Sequence, residues 1–95
     1  MKISEITSFL ESVASPSLQE SYDNAGLITG NSSWHCTGII TTLDATEAVV
    51  QEAINKKCNL IVAHHPIIFG GLRKITGKNY VEQTIITAIK NDIAI

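Results

Sequence analysis

Asn59-Leu60-Ile61-Val62-Ala63-His64-His65-Pro66 is the stretch on which the fold of this chain turns. Residues 59–63 form a short apolar run with no polar alternation. A strand of that kind is covered on both faces, as in a parallel sheet flanked by helices. The run is preceded by a helical pattern over about 46–57. There Ala48, Val49, Ala53 and Ile54 share a face, and Lys56-Lys57 suit the negative end of the helix dipole. Before that helix, residues 37–43 are rich in β-formers and read as another strand. After the run comes a loop from His64 to about Asn79, then a helix over 81–91 with Val81, Ile85, Ala88 and Ile89 on one side. Residues 92–95 open a further strand. Helix alternating with strand in this order implies βαβ units, hence an α/β fold with a parallel-rich sheet and flanking helices.

The N-terminal third is less regular. Ile3, Ile6, Phe9, Leu10 and Val13 recur at helical spacing over 3–14, and Ser15-Pro16-Ser17 stops the helix. Residues 18–21 read as one more turn and Tyr22 to Gly26 as a loop. Leu27-Ile28-Thr29 reads as a short strand ended by Gly30-Asn31-Ser32-Ser33.

Ninety-five residues fit one domain, 1–95. Apolar residues make up 44% and charged residues 17%, which excludes a disordered chain. Seven Lys and Arg against nine Asp and Glu leave a net charge of −2, without the basic footprint of a nucleic-acid binder or a polybasic membrane anchor. No window approaches the roughly 18 apolar residues of a membrane span. Met1-Lys2-Ile3-Ser4-Glu5 does not read as a signal peptide. Cys36 and Cys58 make no disulfide framework and read as reduced thiols of a cytoplasmic protein. The sequence stops as a strand begins, which reads as a fragment of a longer protein or a truncated chain.

In an open parallel sheet, ligands gather beyond the carboxyl ends of the strands. Asp44 follows one predicted strand, and His64-His65-Pro66 follow the next. Imidazole binds Zn, Fe, Mn, Ni and Co. Neighbouring residues of an extended backbone point apart, so His64 and His65 suit one ligand each for two adjacent metals, and Pro66 favours the extended form. The plainer reading is a pair of histidines that hydrogen-bond locally at a strand end. Asp44 is either a carboxylate near that site, orienting a histidine, or an N-cap for the following helix, with Thr46 as a rival cap. His35, Cys36 and Cys58 fall elsewhere in this topology and lack a Cys-x-x-Cys hook, which argues against a Cys2His2 zinc site. Gly70 to Gly77 lacks the Gly-Lys-[Ser/Thr] signature of a phosphate loop. The plainer reading is a mobile surface loop with Gly hinges; the other has Arg73, Lys74 or Lys78, Lys74 foremost, as a contact for an anionic substrate.

Several segments together resemble one family. Tyr22-Asp23-Asn24-Ala25-Gly26-Leu27 is similar to its Trp/Tyr-Asp-Asn-x-Gly-Leu motif. Thr42-Leu43-Asp44-Ala45-Thr46 is similar to its Leu-Asp-x-Thr turn, and Ala63-His64-His65-Pro66-Ile67-Ile68-Phe69 to its His-His-Pro-hydrophobic-Phe signature. The family is that of the Nif-three-like dinuclear metal-centre proteins, the GTP cyclohydrolase 1 type 2 homologues. The resemblance runs in order over nearly the whole chain. It implies the N-terminal portion of a larger Nif-three-like fold, two divalent metal ions (Zn, Fe, Mn, Ni or Co), His64 and His65 as metal ligands, Asp44 beside the site, and a homo-oligomer, hexameric at full length. It further implies a metal-dependent hydrolase acting on a small molecule such as a nucleotide, or else a metal-binding scaffold, metal-delivery or protein-interaction protein. The family's remaining ligands lie in segments these 95 residues do not contain, so the chain alone is expected to be inactive.

Overall fold

A computed structural model describes residues 1–13, 26–68 and 72–95. The order of elements is α1 (Ile3–Val13), β1 (Ile39–Asp44), α2 (Glu47–Asn55), β2 (Leu60–His65) and α3 (Tyr80–Lys90). The predicted turn at 18–21, most of the Tyr22–Leu27 motif and Phe69-Gly70-Gly71 lie outside the described residues.

β1 and β2 pair in parallel, with Ile39 opposite Leu60, Thr41 opposite Val62 and Asp44 opposite His65. Ala94 bridges Leu60 in parallel on the other side of β2. There Ile61 N–H donates to the Ala94 carbonyl at 2.8 Å, and Ala94 N–H donates to the Asn59 carbonyl at 2.8 Å. The expected strand at the C-terminus is thus present as a bridge. The expected strand at Leu27–Thr29 is not formed. That segment still hydrogen-bonds the sheet, with Ile28 N–H donating to Ile95 O at 2.8 Å and Ile95 N–H to Thr29 O at 3.1 Å. Gly30 makes this approach possible. It lies at φ +105°, and a Cβ there would stand 2.5 Å from the Ala94 Cβ.

β2 runs two residues further than the sequence suggests and includes both histidines. Pairing with β1 carries it on, and Pro66, which has no N–H for the ladder, follows directly. α2 is shorter than expected. Lys56 caps it and Lys57 adopts the left-handed conformation (φ 58°), so the two lysines lie beyond the last helical turn. Lys57 N–H donates to Ile54 O and Cys58 N–H to Ala53 O, the paired bonds of a Schellman stop. α3 ends the same way. Asp92 is left-handed (φ 54°), Asp92 N–H donates to Ile89 O and Ile93 N–H to Ala88 O. Each stop feeds the chain straight into the sheet.

Strand alternation divides the core in two. On one face Ile61, Ile93 and Ile95 pack with Val50 and Ala53 of α2 and Ile85 and Ala88 of α3. Of the expected face of α2, Ala53 is buried and Val49 and Ile54 pack against the core, while Ala48 is exposed and Val50 is buried in its place. On the opposite face Ile3 of α1 packs with Leu60 and Ala94, and Leu27, Trp34 and Val62 lie alongside. That cover is partial. Of the α1 stripe only Ile3 is buried, while Phe9 (64%) and Val13 (71%) are exposed, as are Ile39 and Leu43 (68%) on β1. No helix among the described residues is long and apolar enough to cross a membrane.

Candidate functional site

The register brings Asp44 and His65 together. They are cross-strand partners at the carboxyl ends of β1 and β2, and His65 Nδ1 lies 2.9 Å from Asp44 Oδ1. A proton on Nδ1, donated to the carboxylate, fixes the ring and leaves the Nε2 lone pair available. Both side chains are more than half exposed, at 52% and 65%. A pair this wet contributes only about 0–1 kcal/mol to stability. Its effect is therefore on the orientation of the imidazole.

Asp44 is free to do this because it does not cap the helix. Thr46 does, its hydroxyl accepting from Val49 N–H at 3.3 Å. The capping reading of Asp44 is thereby corrected: Asp44 is still in the strand, and α2 begins only at Glu47. His64 belongs by alternation to the opposite face from His65. The two rings nevertheless meet at the strand end, with centroids 4.8 Å apart and planes at 63°. They do not splay as neighbouring strand residues would, and both stand at the same corner of the sheet.

His35, Cys36 and Cys58 lie at the other end of the strands. A six-residue strand separates those ends by about 17–20 Å. Cys58 packs on Gly38, where an added Cβ would meet its Sγ at 2.7 Å, and both thiols lie within 3.7 Å of backbone carbonyls. Among the described residues no group of three or more His, Cys, Asp or Glu side chains converges to hold a metal.

An open cleft adjoins this corner, lined by Asp44, Ala45, His65, Pro66, Ile67 and Tyr80. Lys74 is exposed and is not part of that lining. Tyr80 is, and the sequence reading passes over it. The signal available was its place as the first residue of a helix that follows a loop from the carboxyl edge. Its backbone is firmly held. Asn79 Oδ1 accepts from Glu82 N–H at 2.9 Å, and Thr84 Oγ1 donates to the Tyr80 carbonyl at 2.7 Å. Buried Glu82 gathers the preceding turn, accepting from Thr76 N–H at 2.9 Å and from Asn79 Nδ2 at 3.0 Å. The Thr76 N–H bond is the main reason its carboxyl is held below the usual range, with smaller help from the Lys78 and Gly77 amides and the Thr76 hydroxyl, against the opposing effect of burial.

Compared with known families, residues 1–95 match Duf34/NIF3 (NGG1p interacting factor 3). The GTP cyclohydrolase 1 type 2 homolog of Clostridium acetobutylicum is 40% identical over 93 residues, 98% of this chain and 35% of that protein. Its Staphylococcus epidermidis namesake is 46% identical over 80 residues, 84% of this chain and 22% of that protein. A Staphylococcus aureus protein of known crystal structure superposes with a TM-score of 0.93 at 39% identity, covering 99% of this chain and 27% of that one. The chain spans about a third or less of the length of the curated relatives it matches.

Proposed function

The chain belongs to the Duf34/NIF3 family, and on that premise we propose that His64 and His65 are ligands in a site for two divalent metal ions (Zn, Fe, Mn, Ni or Co) serving hydrolysis of a small molecule such as a nucleotide. The observation that carries this reading is the 2.9 Å contact between His65 Nδ1 and Asp44 Oδ1 beside the His64 ring. The donor set fits such ions in kind: neutral imidazoles, one of them backed by a carboxylate, in the arrangement that raises a histidine's basicity and fixes its tautomer. The remaining ligands fall in the part of the relatives that these residues do not span. A bound metal pair supplies Lewis acidity at a substrate oxygen or nitrogen-bearing carbon and acidifies water. The residues here orient and expose the donors. Asp44 holds the Nδ1 proton, Pro66 and Ile67 form an apolar border, and Lys74 on the neighbouring loop supplies positive charge for an anionic substrate. The same reading carries assembly of several copies, a hexamer by the family resemblance, and the exposed α1 stripe supports it.

Metal analysis of the protein at its natural length tests this. About two ions per chain are expected, with loss in both His64→Ala and His65→Ala. Asp44→Asn is expected to weaken metal affinity roughly 10–100-fold. Absence of metal, or metal indifferent to both histidines, overturns the proposal. The metal-loaded protein is then screened against nucleotides, pterins and phosphoesters, and no turnover in that screen removes the hydrolase.

A second reading is favoured by the exposure of His65. Ligands this open to water suit a metal-delivery or scaffold protein, whose ions a chelator removes quickly. Slow release under chelator competition argues against it.

A further inference from the structure

We propose that Tyr80 is the platform on which this cleft receives a planar nitrogen heterocycle, so that the site selects an aromatic ring system over a plain sugar phosphate. The inference deepens the proposed function and rests on the same corner of the sheet being the ligand site. Tyr80 is 67% exposed at the start of α3, the helix that buries Glu82, Thr84, Ile85 and Ala88. Exposed aromatic side chains on mobile loops are common and carry no message; the backbone that carries this one is held from both sides. Its N-terminal neighbour caps α3 and is tied to Glu82, and its own carbonyl is bonded by buried Thr84. An aromatic side chain carried on a backbone already held in place, and open to solvent, needs no rearrangement of the chain for a flat ligand to cover it.

The rest of the lining suits the same ligand. Ala45, Pro66 and Ile67 offer apolar surface, and Asp44 and His65 form a polar end. Among the described residues Asp44 Oδ2 has no donor, since the His65 ring is on Oδ1. A ring N–H or amino group of a heterocycle can supply that donor, and a saturated sugar phosphate brings an anion against a carboxylate instead. Stacking accepts any π-face, so Tyr80 sets the class of ligand and Asp44 the edge it presents.

The test uses the protein at its natural length with its bound metal, and three heterocyclic probes, guanosine, adenosine and neopterin, against ribose 5-phosphate. Equilibrium binding is measured for wild type, Tyr80→Phe and Tyr80→Leu, with metal content and thermal midpoint recorded for each. At least one heterocycle is expected to bind more tightly than ribose 5-phosphate. Tyr80→Leu is expected to weaken that heterocycle roughly tenfold or more, leaving ribose 5-phosphate, metal content and midpoint unchanged, while Tyr80→Phe stays near wild type. Binding of none of the three heterocycles overturns the proposal. So does a Tyr80→Leu protein that holds them as wild type does, or one that weakens both ligand classes alike. Metal content reads the histidine assignment separately: a protein without metal whose heterocycle binding still depends on Tyr80 sinks the metal reading and keeps this one.

Discussion

The two faces of the sheet are built to different degrees of completion. Under α2 and α3, Ile61, Ile93 and Ile95 meet Val50, Ala53, Ile85 and Ala88, all of them buried. Under α1, among the described residues only Ile3, Leu60 and Ala94 form a buried set, and Ile39, Leu43, Phe9 and Val13 are exposed. The α1 sequence is no less apolar than those of α2 and α3. The difference teaches that the stripe on a helix records a capacity for burial, whereas the partner that uses it is a separate matter. It also divides the histidines, since His65 extends from the finished face and His64 from the unfinished one.

The contrast is sharpened most by Ile61→Ala. This substitution opens a cavity on the closed face and is expected to cost about 3 kcal/mol in a urea titration; a cost under about 1 kcal/mol would mean that this face is not the stabilising one. Next in size is Asp92→Gly at the stop of α3. Glycine removes the left-handed penalty of a side chain, and a gain of about 1 kcal/mol is expected. A loss instead would show that the Asp92 side chain has an interaction of its own there.

Glu82 tests the loop beside the closed face through pH. Its folded carboxyl is held below the usual range, chiefly by Thr76 N–H. Its contribution to stability is therefore present above the unfolded-state value of about 4.3 and is lost as pH falls through the lower folded value. Glu82→Gln should lower stability at neutral pH and flatten that acid limb. Midpoints that follow wild type throughout the acid range would remove Glu82 as the organiser of the turn. The smallest effect belongs to the open face. Leu43→Ser is expected to stay within about 0.5 kcal/mol for this chain, and a larger loss would mean that something already covers Leu43.

Much of this was legible beforehand. β1, β2, α2 and α3 follow from periodicity, and the strand-end rule picks out Asp44, His64 and His65. What could not be read was the register. Asp44 meets His65 only because Ile39 pairs with Leu60, and two parallel strands written far apart do not announce their alignment. The stop at Lys57 was hidden because a left-handed residue there is ordinarily glycine. Tyr80 escaped notice because an exposed aromatic breaks no pattern. The segment at Leu27–Thr29 has strand composition, yet its partner is Ile95, far along the sequence.

That last contact has a consequence in time. β1, β2 and Ala94 lie side by side in the order in which they occur in the chain, so each parallel pairing can form as soon as its strand is made. Ile28 and Thr29 instead join Ile95, and Ile3 needs both Leu60 and Ala94. On a ribosome α1 therefore emerges well before the residues that form its seat. Of the elements described, α1 precedes its partners in the chain and settles after them. In refolding, the amides of Ile3 and Ile28 should become protected from exchange later than those paired between β1 and β2.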